Sequence, residues 1–169
     1  MCIRQLQQIV PPPRRPVETG SPKTWRQVQE RLGTPLPEDF KAFIDLYGTG
    51  AFQNYLLPYN PVSQQEDRNL FLALDTCQQA NRRVQAKASR PWSVVNPFEL
   101  YPAEGGLLPW GTTAPMVQVF FWQVDGPPEN WETVLYDLQT GEYEVWKLSF
   151  STFLLKLFTW EIESLLLPE

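Results

Sequence analysis

The chain has 169 residues and a mass of 19.6 kDa, one domain's worth of polypeptide and enough to bury a full core. With 43% hydrophobic and 20% charged residues, it is too apolar for a wholly disordered chain. Net charge is −5, yet Lys and Arg outnumber Asp and Glu twelve to eight over residues 1–90 and trail them two to eleven over residues 91–169.

Histidine is absent, which excludes Ser–His and Cys–His nucleophile pairs and nearly every catalytic zinc site. Cys2 and Cys77 stand far apart without a CxxC, so neither a redox motif nor a zinc ribbon is available. No apolar run reaches the roughly 18 residues of a membrane span, and the N-terminus lacks a secretory h-region. A cytoplasmic protein without metal or cofactor is expected. The acidic half repels phosphate backbones, so nucleic acid and membrane are not expected partners, whereas a basic protein is.

Residues 1–20 hold Pro11-Pro12-Pro13 and Pro16 beside Arg14 and Arg15, without helical periodicity. They read as a flexible, polyproline-like tail, and 21–169 as a single domain. Ser21 and Pro22 then fit an N-cap and first helical position, with Thr24 and Gln27 as a competing capping box. Trp25, Val28 and Leu32 form the apolar stripe, and Gly33 the stop. A second helix opens at Pro37 with Glu38 and Asp39 in its first turn. It carries Phe40, Phe43, Ile44 and Tyr47 on one face and ends at Gly48. Gly48-Thr49-Gly50 lacks the strand–loop–helix context of a phosphate loop and reads as a helix stop and turn into an extended Phe52–Leu57.

Ser63 and Glu66 make a capping box for a longer helix reaching towards Ser89, with Leu70, Leu74, Cys77, Val84 and Ala88 on its apolar face. Cys77 reads as a small buried apolar residue, and Pro91 as the boundary. The period then becomes two. Gly105-Gly106 and Gly111 flank Leu107-Leu108-Pro109-Trp110, which reads as a sharp entry into a sheet with Trp110 in the core. Val117–Val124 has apolar residues on both faces, Phe120 and Trp122 against Val119 and Phe121, and predicts a central strand. Glu132–Leu138 and Glu142–Leu148 predict two more strands joined by a hairpin with Gly141, and Ser151–Leu166 a closing helix that buries Trp160. Helices, a meander and a helix define an α+β fold: a helical hairpin and long helix on a curved, mostly antiparallel sheet, with a C-terminal closing helix.

The candidate site residues lie in the acidic half. Trp131 follows Gly126-Pro127-Pro128-Glu129-Asn130 in a loop, where it is either an exposed anchor or a lid folded on the sheet. Tyr143 and Val145 are expected inside, which leaves Glu142, Glu144 and Trp146 on an outward sheet face. Neither Asp125 with Glu129 nor Glu142 with Glu144 shows the opposed placement that carboxylate catalysis requires.

The order of these features resembles the SUKH superfamily, which includes bacterial immunity proteins and yeast cell-wall regulators. The resemblance runs from Trp25 and Leu32-Gly33 through Leu36-Pro37-Glu38-Asp39-Phe40-Lys41-Ala42-Phe43 and Tyr47-Gly48-Thr49-Gly50. It continues in Leu108-Pro109-Trp110-Gly111, Phe120-Phe121-Trp122, Asp125-Gly126, Trp146 and Ser151–Leu155, and covers about residues 21–166. It implies a curved sheet backed by helices and a non-enzymatic, cytoplasmic, protein-binding role. The expected role is an immunity protein that covers the active surface of a basic toxin domain, often a nuclease. Asp125, Glu129, Trp131, Glu142, Glu144 and Trp146 would be the contacts. The alternative is an intracellular scaffold or regulatory interaction protein, with the Pro-rich tail as its arm.

Overall fold

The computed structural model describes residues 2–87, 98–114 and 116–167. Local sequence chemistry accounts for the first helical hairpin. In α2 (Pro22–Leu32) the Ser21 hydroxyl accepts the Thr24 amide at 3.1 Å, so Ser21 takes the cap and the Thr24–Gln27 box goes unused. Gly33 closes the helix at φ 85°. The next helix, α3 (Glu38–Tyr47), buries Phe40, Phe43, Ile44 and Tyr47 as its periodicity predicts. The Trp25 indole N–H donates to Asp45 at 3.1 Å and ties the two helices together. A side chain at Gly48 would place its Cβ 2.1 Å from the Val17 carbonyl oxygen, so the chain reverses there only with glycine.

The expectation of a helix-free tail is corrected for the first residues. Ile3–Ile9 form a helix, α1, whose Ile3 and Leu6 are buried in the main core. A helix of seven residues has no stability of its own, but two apolar side chains one turn apart suffice when a preformed groove covers them. The arm that follows is hydrogen-bonded to the domain. The Tyr47 phenol donates to the Val10 carbonyl at 2.7 Å. Glu18 accepts from the Ser63 hydroxyl at 2.8 Å and the Gln64 amide at 2.7 Å. Burial alone would raise the Glu18 pKa, but hydrogen bonds from Thr49, Gln64 and Ser63 outweigh it and hold the carboxyl below its usual range.

With Ser63 drawn to Glu18, the capping box expected at Ser63 and Glu66 does not form. Asn69 caps α4 (Leu70–Lys87) instead, accepting from the Phe71 and Leu72 amides at 3.0 and 3.3 Å. Cys77 packs towards the sheet, where burial pushes its thiol up to about 11. Val84, placed on the apolar face by sequence, is exposed. Ala88 and Pro91 lie outside the described residues.

Five antiparallel strands follow one another in sheet order: β1 (Leu56–Pro58), β2 (Leu107–Thr113), β3 (Gln118–Gln123), β4 (Glu132–Asp137) and β5 (Tyr143–Trp146). The glycine- and proline-bearing entry segment is thus itself a strand, β2. It tolerates Pro109 because the register shifts between Pro109 and Gly111, a bulge that leaves Trp110 fully buried. The central strand β3 has both faces covered. Phe120 and Trp122 enter the inner core, while Val119 and Phe121 join Leu107 and Val134 on the outer face beneath α4.

The inner core is an aromatic layer between the sheet and α5 (Phe150–Phe158), with Phe40 4.8 Å from Trp122 and Trp110 5.0 Å from Phe150. Each such ring contributes roughly 1.5–3 kcal/mol by leaving water. Asp39 reaches across from α3 to accept the Ser151 amide at 2.8 Å, capping α5 from another helix. The closing helix ends eight residues before the predicted Leu166. Its last turn folds back, with the Glu161 amide on the Lys156 carbonyl at 2.8 Å and Trp160 in the left-handed region at φ 60°. Trp160, expected in the core, is 79% exposed.

Candidate functional site

The six residues singled out by sequence do not form one surface. Asp125 and Glu129 are exposed in the β3–β4 loop. Glu142 is exposed at the opposite end of β4, about 20 Å away at roughly 3.4 Å per strand residue. Trp131 is 2% exposed, packs against Trp122 at 6.0 Å, and donates its indole N–H to the Gly126 carbonyl at 3.1 Å. It folds back as a lid on the core, so it is no surface anchor.

The faces of β5 are also reversed from expectation. Register pairs Leu135 with Glu144 and Val134 with Val145, so Glu144 and Trp146 share the inner face with Leu135, and Tyr143 and Val145 share the outer face with Val134. Trp146 packs on Phe153 at 5.2 Å. The Glu144 carboxylate accepts the Ser164 hydroxyl and, at 2.8 Å, the Leu165 amide. The chain after α5 thus crosses the inner face and covers what the sequence assigned to docking. Burying Trp146 outweighs exposing half of Tyr143 and Val145, because indole is the larger apolar surface.

What the molecule does present is a rim formed by β5 and the segment after α5. A cleft of about 460 Å³ lies between them, lined by Trp146 and Ile162 together with Lys147, Lys156, Glu161 and Glu163. Two carboxylates there, Glu161 and Glu163, equal Lys147 and Lys156 in number. Both lysines are already engaged, Lys147 by Glu132 at 3.4 Å and Lys156 by Glu161 at 3.7 Å. Among the described residues Glu142 and Glu163 make no ion pair.

Trp160 stands on this rim. The turn that holds it puts a left-handed conformation where glycine normally serves, at a cost of roughly 1–2 kcal/mol for a side chain. The indole is 79% exposed and enters no ring pair among the described residues. Sequence reasoning missed it because apolar residues continue at helical spacing through Leu165, and no glycine marks the stop.

The β4–β5 turn is held by Asp137, whose carboxylate accepts the Gln139 and Thr140 amides at 2.8 and 2.9 Å and a Gln118 side-chain N–H at 3.1 Å. The bond from Thr140 is the largest influence and keeps this carboxyl below its usual range despite burial. No group of three or more His, Cys, Asp or Glu among the described residues is placed to hold a metal ion. No helix among them is long and apolar enough to cross a membrane.

Residues 22–154 match the SUKH_6 family, described as SMI1-KNR4 cell-wall. The chain belongs to that family. The match spans α2 to the middle of α5, including the hairpin, the whole sheet and the aromatic layer, and confirms the resemblance drawn from Leu36–Phe43 and Leu108–Gly111. None of the curated proteins compared with this SUKH chain matches it. Membership fits a protein-interaction domain. The turn at Trp160 and the segment after it lie beyond the matched residues, so the rim joins a family strand, β5, to a stretch the family pattern does not cover.

Proposed function

We propose that this SUKH chain is a cytoplasmic immunity protein that binds a cognate toxin domain, of the basic kind common among nucleases, and covers its active surface without performing chemistry. The observation that carries the reading is Trp160, an indole held exposed at a conformational cost and followed in the chain by Glu161, which pairs with Lys156, and Glu163. Exposed indoles that become buried in a partner are among the largest single contributors to binding, worth about 2 kcal/mol or more. Surrounding carboxylates steer a basic partner and raise its association rate at low salt. Inhibition by coverage requires neither histidine, metal nor nucleophile, in keeping with a family that binds proteins.

The test is co-purification with the product of the adjacent reading frame, followed by association rates across a salt series. Trp160→Ala is expected to abolish co-purification. Paired reversal of Glu161 and Glu163 to Lys is expected to slow association by roughly ten-fold at low salt. Rates that ignore both salt and charge reversal would sink the reading.

A further inference from the structure

The N-terminal arm is held to the body of the domain in two unequal parts. Its second part is latched. The Val17 carbonyl accepts the Thr49 amide at 3.0 Å, and the Glu18 carbonyl accepts a side-chain N–H of the fully buried Asn60 at 2.8 Å. The Glu18 carboxylate takes Ser63 and Gln64, and the Gly20 amide donates to Asp45 at 3.0 Å. The first part is only seated. Ile3 and Leu6 enter the core as α1 packs on α3 and α5, the Tyr47 phenol holds Val10, and the Cys2 thiol lies 3.4 Å from the Thr152 hydroxyl. Between the two parts, residues 11–16 make no hydrogen bond or ion pair among the described residues. A cavity of about 310 Å³ separates Pro11 and Pro13 from the turn at Gly48–Ala51.

We infer that α1 is an exchangeable arm, which seats on the α3–α5 groove of a second copy and joins two chains in a reciprocal dimer. The groove itself names its occupant, because α1 is the segment that fits it, and a second copy offers the same Ile3 and Leu6 to the same contacts. The family match begins at residue 22, so α3 and the first part of α5 lie within the family pattern and α1 lies outside it. The linker decides between a chain's own arm and a borrowed one. Four of its six residues are proline, which favours an extended polyproline path. From Val10 to Val17 that path would cover about 22 Å at roughly 3.1 Å per residue. Yet Val10 and Val17 are anchored by Tyr47 and Thr49, at one end of α3, so within a single chain the segment must leave and return to the same corner. Docking of a chain's own arm draws on an effective concentration of about a millimolar for a short flexible linker, and a stiff segment that must turn back holds it lower. Exchange removes that turn and keeps every contact of α1. Charge assists, since residues 1–16 hold Arg4, Arg14 and Arg15 and no acid, while the rest of the chain is acidic.

The test uses the full chain. Sedimentation velocity between about 10 µM and 1 mM is expected to show monomer giving way to dimer, since the upper end reaches the effective concentration in question. Thr152→Cys sets a thiol beside Cys2. On oxidation with glutathione disulfide, the bond between them is expected within one chain in dilute samples and between two chains in concentrated ones, read by non-reducing electrophoresis against the unsubstituted chain. Leu6→Asp unseats α1 and is expected to abolish the dimer. Serine at positions 11, 12, 13 and 16 softens the linker, and is expected to raise the concentration of half-dimerisation about ten-fold. Should Leu6→Asp fail to fold, the cysteine and serine variants still decide. A chain that stays monomeric throughout, a dimer that survives Leu6→Asp, a half-dimerisation point unmoved by the serines, or a Cys2 bond confined to one chain in samples that sediment as dimers would each overturn arm exchange. None of these outcomes bears on the immunity reading, which needs no dimer.

Discussion

The β3–β4 loop and the turn after α5 each carry a tryptophan beside glutamates, and the fold uses them in opposite ways. In the loop, the 3₁₀ turn Pro128–Asn130 swings Trp131 back onto Trp122, and the Gly126 carbonyl satisfies its N–H. In the turn after α5, backbone hydrogen bonds end the helix with Trp160 left-handed and its indole in water. The first arrangement removes a large apolar surface from solvent and stabilises the domain. The second bears a conformational cost and leaves the indole without a ring contact among the described residues, which on the proposed reading an external contact would offset. A tryptophan's neighbours in sequence therefore do not reveal its role; the closure of the chain around it does.

That contrast can be broken at several points. Trp131→Ala is expected to lose about 3–5 kcal/mol in chemical denaturation, the usual result of emptying a buried aromatic site. A loss below about 1 kcal/mol would mean that the lid contributes little to the core. Asp39→Ala should cost about 1–2 kcal/mol by uncapping α5, and Asp39→Asn, which keeps an acceptor, should restore most of it. Trp160→Gly runs the other way: relief of the left-handed strain should add about 1 kcal/mol of stability while partner binding falls. Trp160→Ala keeps the strain, so it should lose binding without that gain. If glycine leaves stability unchanged, the conformational cost has been misread.

The smallest effect concerns the opposite end of β4. Because the Asp137 carboxyl titrates lower in the folded chain than in the unfolded one, it stabilises the fold above its unfolded pKa, and that stability is lost as pH falls through the folded value. Asp137→Asn should therefore flatten the acid limb of a denaturation midpoint against pH, with the wild-type curve falling away below about pH 4. Parallel curves would remove Asp137 from that account.

Much of the fold was legible because local rules and burial agreed. The caps at Ser21 and Gly33, the stripe Phe40–Tyr47 and the two-sided pattern of Val119–Trp122 each state their element within a few residues. The site was not legible, for two reasons. Alternation in β5 specifies two faces but not which one is inner, and Glu144 made the wrong face look solvated because its partners, Ser164 and Leu165, lie about twenty residues on. Helical spacing after Phe158 likewise contains no term for the turn that ends α5.

By itself the sequence determined an α+β domain lacking histidine, with an acidic C-terminal half and a SUKH-like order of motifs, because composition and periodicity are properties of the chain alone. Only the tertiary structure decided that Trp131 is core, that Trp160 is surface, and that β5 turns its carboxylate inward. Those outcomes depend on which distant segments compete to cover the same apolar surface, and that competition is resolved only when the chain closes.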